Sequence, residues 1–317
     1  MRNSFLSALY DLAKTDKRVL ALVADNGAIV FDQFRKDFPD QFINCGIAEA
    51  TMATVAAGLA SCGKIPFTYT ITTFLLMRAF EQVRNDICLQ NMNVKLVGIG
   101  AGLAYSTLGS THHAIEDIAL MRTLHNMTIL SPADPLEAKK ATQAAAKWKG
   151  PVYLRLGTTK EPVIYHEDYD FEIGKGIVLR EGEDLAIIAT GSILANCLEA
   201  QLILEKEGIS VKVVNIHTIK PLDQSLIVQV ARETRAVLTV EEHNLAGGLG
   251  EAVSSVILEN SLAPLKFHSM GIRERFCSGY GSQKYMREKY GLGVQDIVRN
   301  AKKLLEGKSL EMTPKSF

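Results

Sequence analysis

A single carboxylate, Glu49, lies in a stretch of small apolar residues. After Gly46 the chain reads Ile-Ala-Glu-Ala-Thr-Met-Ala-Thr-Val-Ala-Ala-Gly-Leu-Ala from Ile47 to Ala60. This composition predicts a buried helix over 47–61. A buried carboxylate is costly unless a partner binds it or it keeps its proton. The same acid in an exposed first turn would simply be favoured by the helix dipole, so the residues alone leave both interpretations open.

Other polar side chains follow short apolar runs, at predicted strand ends where α/β proteins bind ligands. Asp25 and Asn26 come directly after one run, and Arg155 lies near the end of another. A guanidinium there suits an oxyanion, although a plain surface arginine would show the same pattern. His112, in a Thr-His-His loop, could assist proton transfer or bind a hydroxyl, or it could only cap the next helix.

Short apolar runs alternate with amphipathic segments along the chain. The runs predict strands over 19–24, 65–69, 94–99, 127–130, 152–156, 185–189, 211–216, 236–240 and 265–268. The segments between them predict helices over 4–15, 47–61, 74–90, 115–124, 134–147, 190–207, 222–232, 247–259 and 295–306. Apolar strands separated by helices are typical of parallel sheets covered on both faces. The fold class is therefore predicted as α/β, with two doubly wound domains whose sheets are mainly parallel.

The alternation is interrupted by a polar stretch of mixed charge that begins at Thr158. Such a composition is typical of a segment between domains. We therefore predict a first domain over 1–157, a linker over 158–182 and a second domain over 183–307. The polar residues 308–317 are predicted to form a frayed tail.

The composition is that of a globular protein with no preference for polyanions. Of 317 residues, 47% are hydrophobic and 22% are charged, and Lys plus Arg equals Asp plus Glu at 35 each. No net charge favours nucleic acid or an anionic membrane, and no apolar run has the length of a membrane span. The five cysteines have no paired or metal-like spacing, which fits reduced thiols. Because no signal-peptide core is visible at the start, we expect a soluble cytoplasmic protein.

The segment around Glu49 resembles a family signature. Asn-Cys-Gly-Ile-Ala-Glu-Ala over 44–50, followed by Ala-Ala-Gly-Leu-Ala over 56–60, is similar to the Gly-Ile-Ala-Glu signature in the pyrimidine-binding domain of the transketolase family. The resemblance implies that the chain uses thiamine diphosphate and that Glu49 is catalytic, with its carboxylate hydrogen-bonded to the pyrimidine N1′ of the cofactor. A buried acid suits this task because it shares a proton with a ring nitrogen.

The stretch Thr-Thr-Phe-Leu-Leu-Met-Arg-Ala-Phe-Glu-Gln over 72–82 resembles the family segment whose aromatic ring stacks on the aminopyrimidine. By this match Phe74 binds the cofactor, although a core phenylalanine at a helix start would look the same. Ile71 and Met77 stand where relatives carry further aromatics, which implies an apolar, less aromatic pocket. Asp25 and Asn26 occupy the loop where relatives contact cofactor and substrate, respectively.

A third match covers 108–117, Leu-Gly-Ser-Thr-His-His-Ala-Ile-Glu-Asp, which resembles the family's Asp-Gly-x-Thr-His-Gln motif. His112 matches the histidine that faces the substrate near the reactive carbon, and Arg155 matches an arginine that binds substrate phosphate. Leu108 stands in place of the family aspartate, and Gly100 in place of a histidine found in transketolases. These two replacements put an ordinary sugar-phosphate acceptor in doubt.

Segments of the second half resemble the family's carboxyl-terminal domain, which supports dimer packing. They are 216–223, 240–243, 247–250 and 271–276. Glu242 and His243 are accordingly expected to be structural, and the glycine run over 247–250 is expected to be a packing turn because no P-loop lysine follows it.

The sequence contains no Gly-Asp-Gly, the marker of the family's diphosphate-binding domain. The chain therefore resembles the carboxyl-terminal subunit of a split transketolase. The resemblance implies an amino-terminal partner subunit that binds the diphosphate through Mg²⁺ or another divalent metal, an α2β2 assembly, and transfer of a two-carbon ketol unit from a ketose to an aldehyde. Two alternatives stay open: the β subunit of a 2-oxoacid decarboxylase or dehydrogenase, and a non-catalytic regulatory or scaffold paralogue.

Overall fold

The computed structural model describes residues 1–27, 29–159, 161–262, 265–273 and 275–308. Within them the chain forms twelve strands, most of them the apolar runs seen in the sequence. The strands are β1 (Val19–Val23), β2 (Phe42–Asn44), β3 (Ile65–Ile71), β4 (Lys95–Ile99), β5 (Thr128–Leu130), β6 (Val152–Leu156), β7 (Ile177–Arg180), β8 (Leu185–Ala189), β9 (Val211–Asn215), β10 (Thr218–Lys220), β11 (Ala236–Asn244) and β12 (Lys266–Ile272).

The α-helices lie between the strands and cover the sheets. They are α1 (Arg2–Thr15), α2 (Asp32–Asp37), α3 (Glu49–Ser61), α4 (Thr72–Leu76), α5 (Phe80–Gln82), α6 (Asp117–Arg122), α7 (Pro135–Lys147), α8 (Leu194–Lys206), α9 (Gln224–Glu233), α10 (Leu249–Glu259), α11 (Gln283–Lys289) and α12 (Val294–Glu306). No helix in the described ranges is long and apolar enough to cross a membrane.

The first sheet has seven strands in the order β10-β5-β6-β4-β3-β1-β2. All its pairings are parallel except that of β10 with β5. Apolar side chains of α1 and α7 pack on one face, and those of α3, α4 and α6 pack on the other. Burial on both faces explains why these strands read as continuous apolar runs.

The second sheet has five strands in the order β12-β11-β8-β9-β7, and only β7 runs antiparallel to its neighbour. Helices α8 and α12 cover one face, and α9 and α10 cover the other. The prediction of an α/β fold with two mainly parallel sheets is confirmed. Strand β10 lies in the second half of the chain but completes the first sheet, a long-range pairing that the local pattern did not indicate.

Three local predictions differ from the structure. The single helix expected over 74–90 is broken into α4, α5 and a π-helical segment, Val83–Cys88; a wider turn re-aims side chains, and Val83, Ile87 and Cys88 are buried in the core beside α3. The expected linker over 158–182 contains β7, and α11 was not predicted. The tail predicted over 308–317 lies, apart from Lys308, outside the described residues.

Candidate active site

The carboxyl ends of β1, β3 and β4 meet at one edge of the first sheet. Val23 at the end of β1 is in register with Tyr69 in β3, and Ile71 at the end of β3 is in register with Ile99 at the end of β4. The loops that follow these strands therefore lie side by side, at the edge where α/β sheets bind ligands.

Glu49 is the first residue of α3 and is only 2% exposed. Its Oε2 atom lies 2.8 Å from Nη1 of Arg78, whose side chain is 53% exposed. The two interpretations that the sequence left open therefore both apply, since the acid is in the first turn and buried. The helix dipole and the guanidinium both favour the carboxylate form.

Phe74 lies in α4, half-buried, and contacts two other candidate groups. The Arg78 guanidinium carbon is 5.1 Å from the centre of the Phe74 ring, and the His112 ring is 5.1 Å from it, edge to face. The structure thus brings Glu49, Arg78, Phe74 and His112 into one contiguous group. Arg78 was not singled out in the sequence; its position four residues after Phe74, on the next turn, was the available signal.

His112 ends a short 3-10 turn, Ser110–His112. Its Nδ1 atom is 3.0 Å from the Thr111 hydroxyl, and the hydroxyl of Thr73 in α4 donates to the Thr111 carbonyl at 3.0 Å. The Tyr105 ring stands edge-on at 6.4 Å. His112 is therefore held beside Phe74 by backbone contacts, with aromatic rings on two sides.

Ile71 and Met77 flank α4 at its two ends. Ile71 is half-buried and Met77 is 37% exposed, so both can present apolar surface beside Phe74. Asp25 is exposed and Asn26 half-buried, in the loop after β1.

Asn44 ties the Asp25 loop to the turn before Glu49. The Asn44 side-chain oxygen accepts from the backbone N–H of Asp25 at 3.1 Å and of Gly46 at 3.0 Å, and its amide donates to the Asp25 carboxylate at 3.1 Å. Sequence reasoning missed Asn44, although a polar residue at a strand end followed by a glycine turn was visible.

Arg155 lies elsewhere and its guanidinium is already bound. Nε donates to Asp117 at 2.7 Å, and Nη2 donates to the carbonyls of Ala114 at 3.2 Å and Glu242 at 3.0 Å. The Arg155 side chain is 4% exposed, and Asp117 is fully buried and also accepts from Tyr153. This placement does not support the expectation that Arg155 binds a substrate phosphate, because its donors join the two halves of the chain.

Gly100 adopts φ 87°, a left-handed conformation that favours glycine. A Cβ atom there would lie 2.1 Å from Cδ2 of Tyr105. The Tyr105 ring thus fills the space that a side chain at position 100 would need. Leu108 is half-exposed in the loop that carries His112.

Glu241, Glu242 and His243, at the end of β11, lie buried between the two halves. Burial raises the pKa of Glu241 to about 8 although the N–H groups of Leu249 and Gly250 bind its carboxylate. Burial also lowers the pKa of His243 to about 4. These groups are far from solvent and held by backbone contacts.

The group around Phe74 fits the aminopyrimidine end of thiamine diphosphate. A buried carboxylate can accept a hydrogen bond from a ring nitrogen, and a half-buried phenyl ring with apolar neighbours can face a flat heterocycle. The described residues contain no cluster of three His, Cys, Asp or Glu side chains that could hold a metal ion. They therefore offer a place for the ring of the cofactor and none for the metal of its diphosphate.

Family models cover both halves of the chain. The model of the transketolase pyrimidine-binding domain matches residues 1–161, and that of the transketolase C-terminal domain matches residues 174–297. One of the subunits of the apulose-4-phosphate transketolase of Actinobacillus succinogenes is 38% identical over 299 residues, which cover 94% of each chain. A 6-deoxy-6-sulfo-D-fructose transketolase subunit of a Clostridium species is 37% identical over 98% of this chain and 95% of that protein.

Solved structures agree with these matches. A split-gene transketolase, described as an inactive β4 tetramer, is 41% identical with a TM-score of 0.89, over 97% of this chain and 99% of that one. A transketolase of Campylobacter jejuni, 23% identical, shares the fold with a TM-score of 0.78, and this chain covers 46% of it. The chain belongs to the transketolase family and corresponds to the carboxyl-terminal subunit of its split, two-chain members.

Proposed function

We propose that the chain is the carboxyl-terminal subunit of a cytoplasmic, thiamine diphosphate-dependent transferase that moves a two-carbon ketol unit from a ketose to an aldehyde. The observation that carries the proposal is the contiguous group of Glu49, Arg78, Phe74 and His112 at the carboxyl edge of the first sheet. Five free thiols within the described residues fit a reducing compartment.

Bound thiamine diphosphate supplies the carbanion chemistry that protein side chains lack. The role of Glu49 is to accept the hydrogen bond of the pyrimidine N1′ and to hold a proton there. Its carboxylate is well placed for this because α3 fixes it while the half-exposed Arg78 can swing away. Phe74, with Ile71 and Met77 beside it, provides an apolar surface for the pyrimidine ring.

His112 has the role of binding a substrate hydroxyl or assisting proton transfer at it. Its Nδ1 atom is engaged with Thr111, so Nε2 is the atom that would meet the substrate. Asp25 is assigned to the cofactor side and Asn26 to the substrate side of the neighbouring loop. Arg155 is left out because its guanidinium bridges the two halves.

A second chain is needed to complete the site. The diphosphate and its Mg²⁺ or other divalent metal are assigned to an amino-terminal partner subunit, in an α2β2 assembly. Two observations support this: the described residues hold no metal cluster, and the relative solved as a β4 tetramer is described as inactive.

The test begins with affinity capture of the tagged chain from its own cells. A partner of similar size bearing Gly-Asp-Gly is expected in a 1:1 ratio. The reconstituted pair, with thiamine diphosphate and Mg²⁺, is then assayed for ketol transfer from a panel of 2-ketoses to aldehydes, with Glu49→Gln as the inactive control. A pair that binds the cofactor but decarboxylates 2-oxoacids, or performs neither reaction, would contradict the proposal.

A further inference from the structure

The loop that carries His112 is attached to the second half of the chain. We define the His112 loop as residues 102–112. The Ser106 hydroxyl donates to the Gly281 carbonyl at 2.7 Å, and the Ser110 hydroxyl donates to the Cys277 carbonyl at 2.6 Å. The segment 277–283, here called the receiving segment, therefore contacts the loop on both sides of Leu108.

A third attachment joins the start of the loop to β11. The backbone N–H of Leu103 donates to Oε1 of Glu242, and the Leu103 side chain is buried in the core of the second half. Glycine at position 102 allows this approach, because a Cβ atom there would lie 2.7 Å from Oε1 of Glu242.

Glu242 is itself rigidly held. It is 3% exposed, and it accepts from Gln283 Nε2 at 2.8 Å and from the Arg287 guanidinium. Arg287 in turn donates to the hydroxyl of Ser192 at 2.7 Å and to the side-chain oxygen of Asn196 at 3.2 Å. The anchor of the His112 loop is thus part of a buried network that belongs entirely to the second half.

The first half holds the same loop near its ends. Gly102 pairs with Ala114 through two backbone bonds, each of 2.9 Å, and Thr73 binds the Thr111 carbonyl. Between these points Leu103, Ser106 and Ser110 bind the loop to the second half.

We propose that Glu242 and the receiving segment are positioning elements for His112, so that the second domain takes part in the reaction by orienting this side chain. The inference rests on the proposed function and deepens it, because the second domain would otherwise serve only assembly. A reacting group displaced by about 1 Å can lose on the order of 100-fold in rate, so bonds that hold the loop act on turnover.

The test uses the double variant Ser106→Ala/Ser110→Ala, which removes both hydroxyl contacts and leaves Glu242 and its buried network intact. The matched control is Ser254→Ala, whose hydroxyl binds the Glu251 carbonyl at 2.9 Å on the exposed surface of α10. Hydrogen–deuterium exchange of the full chain is compared for peptides covering the His112 loop and α3. Faster exchange is expected in the loop alone, and the control should match the wild type.

Kinetics of the reconstituted pair give the second readout. We expect kcat to fall about 10-fold in the double variant, with the thiamine diphosphate KM within 2-fold of wild type, because the pyrimidine-facing residues lie on α3 and α4. Unchanged loop exchange would refute the attachment, whatever the activity. Faster exchange with unchanged kcat in an active pair would refute the positioning role. If the wild-type pair transfers no ketol unit, the proposed function fails, and the positioning role fails with it while the exchange data still decide the attachment.

Discussion

Glu49 and Arg78 form an ion pair, with 2.8 Å between Oε2 and Nη1, in which the acid is 2% and the base 53% exposed. The helix fixes the buried partner, whereas the exposed partner is free to move. Exposed guanidinium groups contribute little to stability through such pairs. The pair is therefore better suited to keep a carboxylate ready for a ligand than to hold the fold together.

Glu49→Gln should abolish most of the activity without unfolding the chain. The amide keeps the shape of the side chain but cannot hold a proton for the pyrimidine, and loss of acid–base assistance costs about 10²–10⁴-fold in rate. The measurement is ketol transfer by the reconstituted pair, with the melting temperature of the chain as a check. The exposed neighbour Glu81 provides the control Glu81→Gln, and wild-type turnover in the Glu49 variant would contradict its role.

His112→Asn should reduce kcat/KM for ketol transfer by about 10²-fold, the lower end of acid–base contributions. The affinity for thiamine diphosphate should change less than 2-fold, because His112 faces the substrate side of Phe74 in the proposed arrangement. The exposed His166 gives the matched control His166→Asn. A loss of cofactor affinity as large as the loss of rate would place His112 on the cofactor instead.

Gly100→Ala should destabilise the chain more than Gly63→Ala. Both glycines are in the left-handed region, with φ 87° and 81°, so both substitutions cost about 1–2 kcal/mol of conformational energy. Only at position 100 would the new methyl group meet another side chain, Tyr105, whereas nothing lies within 4 Å at position 63. Overpacking adds about 1–3 kcal/mol. Urea denaturation measures the difference, and equal free energies of unfolding would show that Tyr105 yields without cost.

His217 should make the chain lose stability as the pH falls below about 6.5. Burial beside the Phe171 ring lowers the pKa of His217 to about 4. Between the unfolded value of 6.5 and about 4, the unfolded chain binds a proton that the folded chain does not, so acid favours unfolding. The effect is on the order of 3 kcal/mol at most by pH 4.

The check is the free energy of unfolding of the wild type and His217→Gln, measured in urea at several pH values. The variant should start less stable at pH 7 and show a flatter decline toward pH 4, while the exposed control His166→Gln keeps the wild-type slope. Buried His243, whose pKa is also lowered to about 4, contributes equally to all three proteins and cancels in the comparison. Parallel curves for the wild type and His217→Gln would contradict the prediction.

Much of the fold and part of the candidate site could be predicted from local patterns. Continuous apolar runs predicted the strands because parallel strands are buried on both faces. The carboxyl ends of such strands meet at one edge, so the sequence also indicated that residues after β1, β3 and β4 would converge. The placement of Glu49 at the start of a buried helix followed from the small apolar residues after it.

Other features depended on contacts between residues far apart in the chain. Arg155 had the sequence pattern of an anion-binding residue, but the fully buried Asp117 and the Glu242 carbonyl occupy its donors. The break in the helix expected over 74–90 likewise reflects packing against α3, which no local propensity encodes.

The sequence by itself determined which elements form and which acid, ring and imidazole face one edge of the first sheet, because hydrophobic period and strand direction are local properties. The tertiary structure alone decided that Arg78 meets Glu49, that β10 completes the first sheet, and that Glu242 holds Leu103 from 139 residues away. Such pairings depend on how two separately formed layers pack, and their partners have no fixed spacing in the chain.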